Sequence, residues 1–155
     1  VLLVRGFGKS YGCTGWRLGY AAGPKRLIQE MGKLQQYTYV CAPSMAQHGV
    51  VPAFDIDVRP YVDTFQQRRN MVLDAFDGLA EVARPGGAFY AFVRPPAALG
   101  LTGSAFVERA IGHNVLVIPG KVFSRRDTHF RLSYAVPDAM LARGLDILCS
   151  LMRGE

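Results

Sequence analysis

Lys9 stands between Gly8 and Ser10 in the stretch GFGKSYGCTGWRLGY, residues 6 to 20, and Arg17 follows eight positions downstream. A lysine between a glycine and a serine, with a guanidinium close along the chain, raises the question of what chemistry needs an amine there. Gly8-Lys9-Ser10 also matches the end of a phosphate-binding P-loop, whose first glycine would fall at position 3. That position holds Leu3, inside the apolar run VLLV, so the backbone cradle for a triphosphate is missing and a nucleotide triphosphatase is not supported.

The elements that must position these residues follow from apolar spacing and turn signals. VLLVRG (1 to 6) reads as a buried strand, and because Val1 is not a methionine the sequence is expected to begin within a longer chain. LGYAAG (18 to 23) is a second short apolar run. Pro24 then opens a helix through PKRLIQEMGKLQQY, with Leu27, Ile28, Met31 and Leu34 on one face. PSMAQHGVVPAF continues helically from Pro43 to an acidic break at Asp55 and Asp57. From Val58 the apolar residues recur at three- and four-residue spacing in a long amphipathic helix that stops at Gly78. Beyond it come a turn and strand in ARPGGAFYAFV, a helix in SAFVERAIG, strands in VLVIPG and HFRLSYAV, and a helix from Pro137 to about Met152. From the long helix onward these elements read as an α+β unit.

Composition narrows the partners. The 155 residues carry eighteen Lys and Arg against twelve Asp and Glu, a net charge of +6, but the basic residues are dispersed and no aromatic-and-basic alternation suggests base stacking. No nucleic-acid partner is expected, whereas small anionic ligands fit. No apolar run approaches the length of a membrane span, so no membrane partner is expected either. The three cysteines, Cys13, Cys41 and Cys149, are odd in number and widely spaced, which matches neither a disulfide framework nor a zinc site. His48, His113 and His129 stand alone, no metal site is expected, and a reducing cytoplasm is the default compartment.

Four segments carry a family resemblance. Lys9, Tyr11, Thr14, Gly15, Trp16, Arg17, Leu18 and Gly19 resemble the lysine signature of the class I and II aminotransferases, fold-type I enzymes that use pyridoxal 5′-phosphate (PLP). PGGAFYAF (85 to 92), VIPGKVF (117 to 123) and FRLSYA (130 to 135) agree with the same family in order and spacing. The resemblance spans the whole chain but corresponds to the later part of a full-length enzyme. It implies the α/β class, with the tail of a larger α/β domain over residues 1 to 56 and a linking helix and small α+β domain over 57 to 155.

The resemblance implies roles residue by residue. PLP acts as an electron sink once its aldehyde is bound to an amine, and Lys9 matches the lysine that forms the internal imine and then moves the substrate α-proton. A solvated surface lysine is the ordinary alternative; a glycine beside it in a turn often permits close ligand approach. Arg17 matches the arginine that holds the PLP phosphate, and Ser10 is a candidate for the same cradle. Arg131 matches the arginine that grips the substrate α-carboxylate. Gly6 and Gly8 depart from the family, many of whose members have serines there. The glycine-rich phosphate loop, the ring-stacking aromatic, the asparagine and the ring-nitrogen aspartate of the family are expected upstream of Val1.

The expected activity of the parent protein is therefore transfer of an amino group between an amino acid and a 2-oxo acid, in a homodimer. The same fold and cofactor also support lyase or acyl-transfer chemistry. The 155 residues by themselves are expected to be an inactive fragment.

Overall fold

The computed structural model describes residues 1–155. The chain divides into two compact units, Val1–Pro60 and Tyr61–Glu155.

In the first unit, β1 (Leu3–Gly6) pairs antiparallel with β2 (Gly19–Ala22), from Leu3 opposite Ala22 to Gly6 opposite Gly19. Between them lie the single turn α1 (Phe7–Ser10) and a 3₁₀ turn, Thr14–Trp16. Two helices follow, α2 (Lys25–Gln36) and α3 (Ser44–Val50). The helical run expected through residue 54 changes character at Val51–Asp55, which is 3₁₀, because Pro52 has no N–H to continue the α-helical ladder. The core of this unit is small: Phe7, Leu18, Val50 and Ala53, with Tyr11, Cys13, Ala42 and Ala46 against it.

One expectation is corrected here. VLLVRG is a strand, but it is exposed along its length, with Val4 at 67%. β1 pairs only with β2, and neither strand is covered by a layer from this unit's core. The apolar face of α2 is likewise open: Leu27, Met31 and Leu34 are exposed, and only Ile28 is half-buried. An apolar stripe marks a surface that gains from burial; a neighbour must still be present to bury it.

The second unit is built on a four-stranded sheet in the order β3-β4-β6-β5, with every neighbouring pair antiparallel. These strands are β3 (Glu81–Val82), β4 (Tyr90–Arg94), β5 (Ile118–Pro119) and β6 (Phe130–Ser133). The strand expected over VLVIPG is thus reduced to two residues, and the chain enters a 3₁₀ turn at Gly120–Val122. Three helices accompany the sheet: α4 (Arg59–Phe76), α5 (Gly103–Gly112) and α6 (Asp138–Arg153). α4 ends where Gly78 takes φ +66° and the Phe76 carbonyl accepts from both Leu79 and Ala80 N–H. α5 is capped by the Thr102 hydroxyl, which accepts from Ala105 N–H at 3.2 Å.

Alternation along the strands decides which side chains enter the core. Ala91 and Val93 of β4 and Phe130 and Leu132 of β6 are buried with Val72, Phe76, Phe106, Leu145 and Leu148 from the helices. The intervening residues, Tyr90, Phe92 and Arg131, therefore point to the other face of the sheet. That alternation positions Arg131.

Candidate active site

The lysine-bearing segment is an excursion between two paired strands. Phe7 N–H donates to the Leu18 carbonyl at 3.0 Å, closing a loop whose interior residues include Lys9, Ser10 and Arg17. Phe7 is buried, and its ring lies 5.5 Å from that of Tyr20 and 5.6 Å from that of Phe54, the latter edge to face. With Phe7 anchored, the rest of the α1 turn leaves Lys9 and Ser10 exposed.

Gly8 is also needed for the local backbone packing. A Cβ there would come within 3.2 Å of the Thr14 Cα, so the missing side chain lets the α1 turn meet the backbone of the 3₁₀ turn. The 3₁₀ turn is held from another side as well, since the Trp16 ring lies over Gly49 of α3, where a Cβ would be 3.0 Å from it. Arg17 follows in the left-handed region at φ +52°, and its Nη1 donates to the Thr14 carbonyl at 3.3 Å. Such a conformation is costly for a residue with a side chain and persists only where neighbours impose it. Here the buried Leu18 and the closing hydrogen bond on one side, and Trp16 on the other, impose it.

The donor set of this excursion fits a phosphorylated carbonyl compound. Lys9 carries an amine, Ser10 a hydroxyl, and Arg17 a fork with further N–H groups beyond the one given to Thr14. The sequence has no carboxylate before Glu30, so no acidic side chain within the excursion competes for these donors.

Arg131 belongs to the second unit. It sits on β6 opposite Phe92 of β4 and Ile118 of β5, on the sheet face turned from the core. Its guanidinium carbon lies over the Tyr90 ring at 4.2 Å and over the Phe123 ring at 4.3 Å. None of the ion pairs in the structure involves it. The structure thus groups Lys9, Ser10 and Arg17 on one excursion of the first unit and gives Arg131 an aromatic setting in the second. Reading by residue type overlooked Tyr90 and Phe123, although PGGAFYAF and VIPGKVF contain them; the signal was two aromatics inside segments that accompany the arginine.

Contacts from α4 and from the residue after β6 hold the PGGAFY segment. Tyr134 N–H donates to the Phe89 carbonyl at 3.0 Å, its hydroxyl donates to the Ala88 carbonyl at 3.2 Å, and Arg69 reaches the Pro85 carbonyl at 3.5 Å. Burial pushes the Tyr134 hydroxyl above the ordinary tyrosine range, opposed in part by the positive charge of Arg69.

Comparison with known proteins gives this arrangement a context. The family described as aminotransferase class I and II matches residues 1–148. An aspartate aminotransferase of Rhizobium meliloti (strain 1021) is 35% identical over 161 residues, covering 94% of this chain and 39% of the relative. Among solved structures, the aspartate aminotransferase of Thermotoga maritima superposes with a TM-score of 0.88 at 28% identity, covering 98% of this chain and 40% of that one. The aromatic aminotransferase of Pyrococcus horikoshii OT3 does so with a TM-score of 0.88 at 28% identity, covering 99% and 43%. The chain spans about two fifths of the length of the curated relatives it matches, in their C-terminal part.

Fold and matches together define an α/β fold of the aminotransferase type, of which this chain is a C-terminal part. The chain belongs to the aminotransferase class I and II family.

Proposed function

We propose that this chain supplies the lysine, one phosphate clamp and the substrate-carboxylate arginine of a PLP-dependent aminotransferase that moves an amino group between an amino acid and a 2-oxo acid. The observation that carries the reading is the placement of an amine and a guanidinium, Lys9 and Arg17, on one strand-to-strand excursion closed by the Phe7–Leu18 hydrogen bond.

In this reading PLP, when bound, supplies the electron sink for chemistry at the amino-acid α-carbon. Arg17 and Ser10 would hold its phosphate, a planar fork with several donors being suited to a doubly charged group. Lys9 would hold the cofactor through its amine, and that amine is the group placed to carry the proton to and from the α-carbon. Arg131 fixes the α-carboxylate by paired N–H donors, which orients the α-carbon for that transfer. The domain division at residues 56 and 57, the homodimer of the full-length protein and its place in the cytoplasm belong to the same proposal. No helix of the chain is long and apolar enough to cross a membrane.

The test is chemical trapping. The full-length protein is loaded with PLP, reduced with borohydride and digested, and the peptides are weighed. The cofactor mass is expected on the peptide containing Lys9 and is expected to vanish in Lys9→Ala. Cofactor mass on a different lysine would remove Lys9 from the mechanism.

A further inference from the structure

We propose that Tyr90 and Phe123 are positioning residues that hold the Arg131 guanidinium flat against their ring faces, so that its N–H edge is presented to the substrate carboxylate. The proposal rests on the reading of Arg131 as the carboxylate anchor and adds how that anchor is kept in place.

An arginine side chain has several rotatable bonds, and an unheld guanidinium samples many orientations, so ordering it costs binding energy that the ligand must otherwise supply. Hydrogen bonds to a carboxylate are the usual restraint, but Arg131 takes part in no ion pair here. Its restraint is aromatic. The guanidinium carbon is 4.2 Å from the Tyr90 centroid and 4.3 Å from that of Phe123, within cation–π range of both. Stacking engages the faces of the planar group and leaves in-plane N–H donors, the fork that matches a carboxylate.

The rings are themselves fixed. Tyr90 opens β4 opposite Ser133 of β6, two residues along from Arg131, and its ring lies 4.4 Å from that of Phe89. The segment before it is tied to the residue after β6 by the Tyr134 hydrogen bonds to the Ala88 and Phe89 carbonyls. Phe123 follows the 3₁₀ turn Gly120–Val122, and its N–H donates to the Gly120 carbonyl at 2.9 Å. Gly120 N–H in turn donates to the His129 carbonyl at 2.7 Å, two residues before Arg131. A Cβ at Gly120 would lie 2.6 Å from that carbonyl oxygen, so glycine is what lets the turn carrying Phe123 close onto the start of β6. Both rings are thereby tied to the strand that bears the arginine.

The test uses the full-length PLP-loaded protein with Tyr90→Leu, Phe123→Leu and Tyr90→Phe, each in the parent and in Arg131→Ala. The readouts are KM for the amino acid, kcat, and inhibition by a dicarboxylate that has no amine, maleate. Loss of either ring is expected to raise KM and weaken maleate about fivefold, with kcat within about twofold, while Tyr90→Phe retains parental values. In Arg131→Ala the ring substitutions are expected to change nothing further, because they act through the missing guanidinium. A ring effect of equal size in both backgrounds would mean that the rings touch substrate directly and overturns the proposal. Unchanged KM for the ring variants, with KM raised in Arg131→Ala, overturns the proposal while leaving the carboxylate anchor standing. Unchanged KM and maleate inhibition in Arg131→Ala removes the anchor, and the proposal falls with it.

Discussion

Phe7 and Leu18, eleven positions apart, are joined by a 3.0 Å hydrogen bond and are both buried in the same four-residue core. Everything assigned to the cofactor side of the site lies between them. The stability of that closure therefore controls how well Lys9, Ser10 and Arg17 are held.

Replacing Phe7 by alanine tests this dependence. Large-to-small changes at a buried phenylalanine cost about 3–5 kcal/mol, and this ring contacts Tyr20 and Phe54 besides the core. The full-length Phe7→Ala protein is expected to lose PLP on desalting while Lys9 is still present, read from the visible absorbance of the retained cofactor. Full retention would show that the excursion is held by something other than this closure.

Two glycines make a matched pair. A Cβ on Gly19 would lie 2.7 Å from the Arg5 carbonyl oxygen, whereas one on Gly15 would meet nothing within 4 Å. Gly19→Ala should force β1 and β2 apart at a cost of about 1–3 kcal/mol. Gly15→Ala should stay within about 0.5 kcal/mol of the parent. Chemical denaturation of the two full-length variants compares them directly, and equal midpoints would contradict the close approach at Gly19.

Arg17→Gly separates stability from binding. Glycine relieves the left-handed backbone at φ +52° but gains freedom in the unfolded chain, two effects of about 1 kcal/mol each and of opposite sign. Thermal stability should therefore stay close to the parent while PLP affinity, measured by equilibrium dialysis, falls at least tenfold. Parental affinity would show that the phosphate is held by other groups.

Alkaline pH should weaken the second unit. Burial raises the Tyr134 hydroxyl, and it also raises the Cys149 thiol, whose Sγ donates to the Ala75 carbonyl at 3.3 Å. In both cases the folded state keeps its proton at a pH where the unfolded state releases it. Their contribution to stability is complete below about pH 8.5 for the thiol and about pH 10 for the phenol, and is lost as pH rises through the raised folded values. Denaturation midpoints of the full-length protein should fall over that range, and the fall should shrink in Cys149→Ala and Tyr134→Phe. A decline of equal slope in both variants would assign it to other groups.

The isolated 155 residues should be unevenly protected. The core of the second unit contains seventeen buried residues, that of the first only four, and β1 and α2 leave their apolar side chains in solvent. Hydrogen exchange is expected to find its slow amides after residue 61 and fast exchange before it, with no PLP retained after desalting. Uniform protection with measurable amino transfer would mean that these residues assemble a complete site.

The candidate donor groups were legible in the sequence because they are fixed by residue type and short spacing. Lys9, Ser10 and Arg17 fall within one short motif, and the helices α4, α5 and α6 announce themselves by periodicity and by stops such as Gly78. The same pattern overstated burial in VLLVRG, because apolar spacing records a preference for cover and not the presence of a covering surface. Only the tertiary structure showed that Gly8 packs on the Thr14 backbone across a loop. It alone decided what surrounds Arg131: the register of β4 on β6 brings Tyr90 beneath the guanidinium, and the Gly120 turn brings Phe123, contacts made by strand pairing between segments far apart or separately folded along the chain.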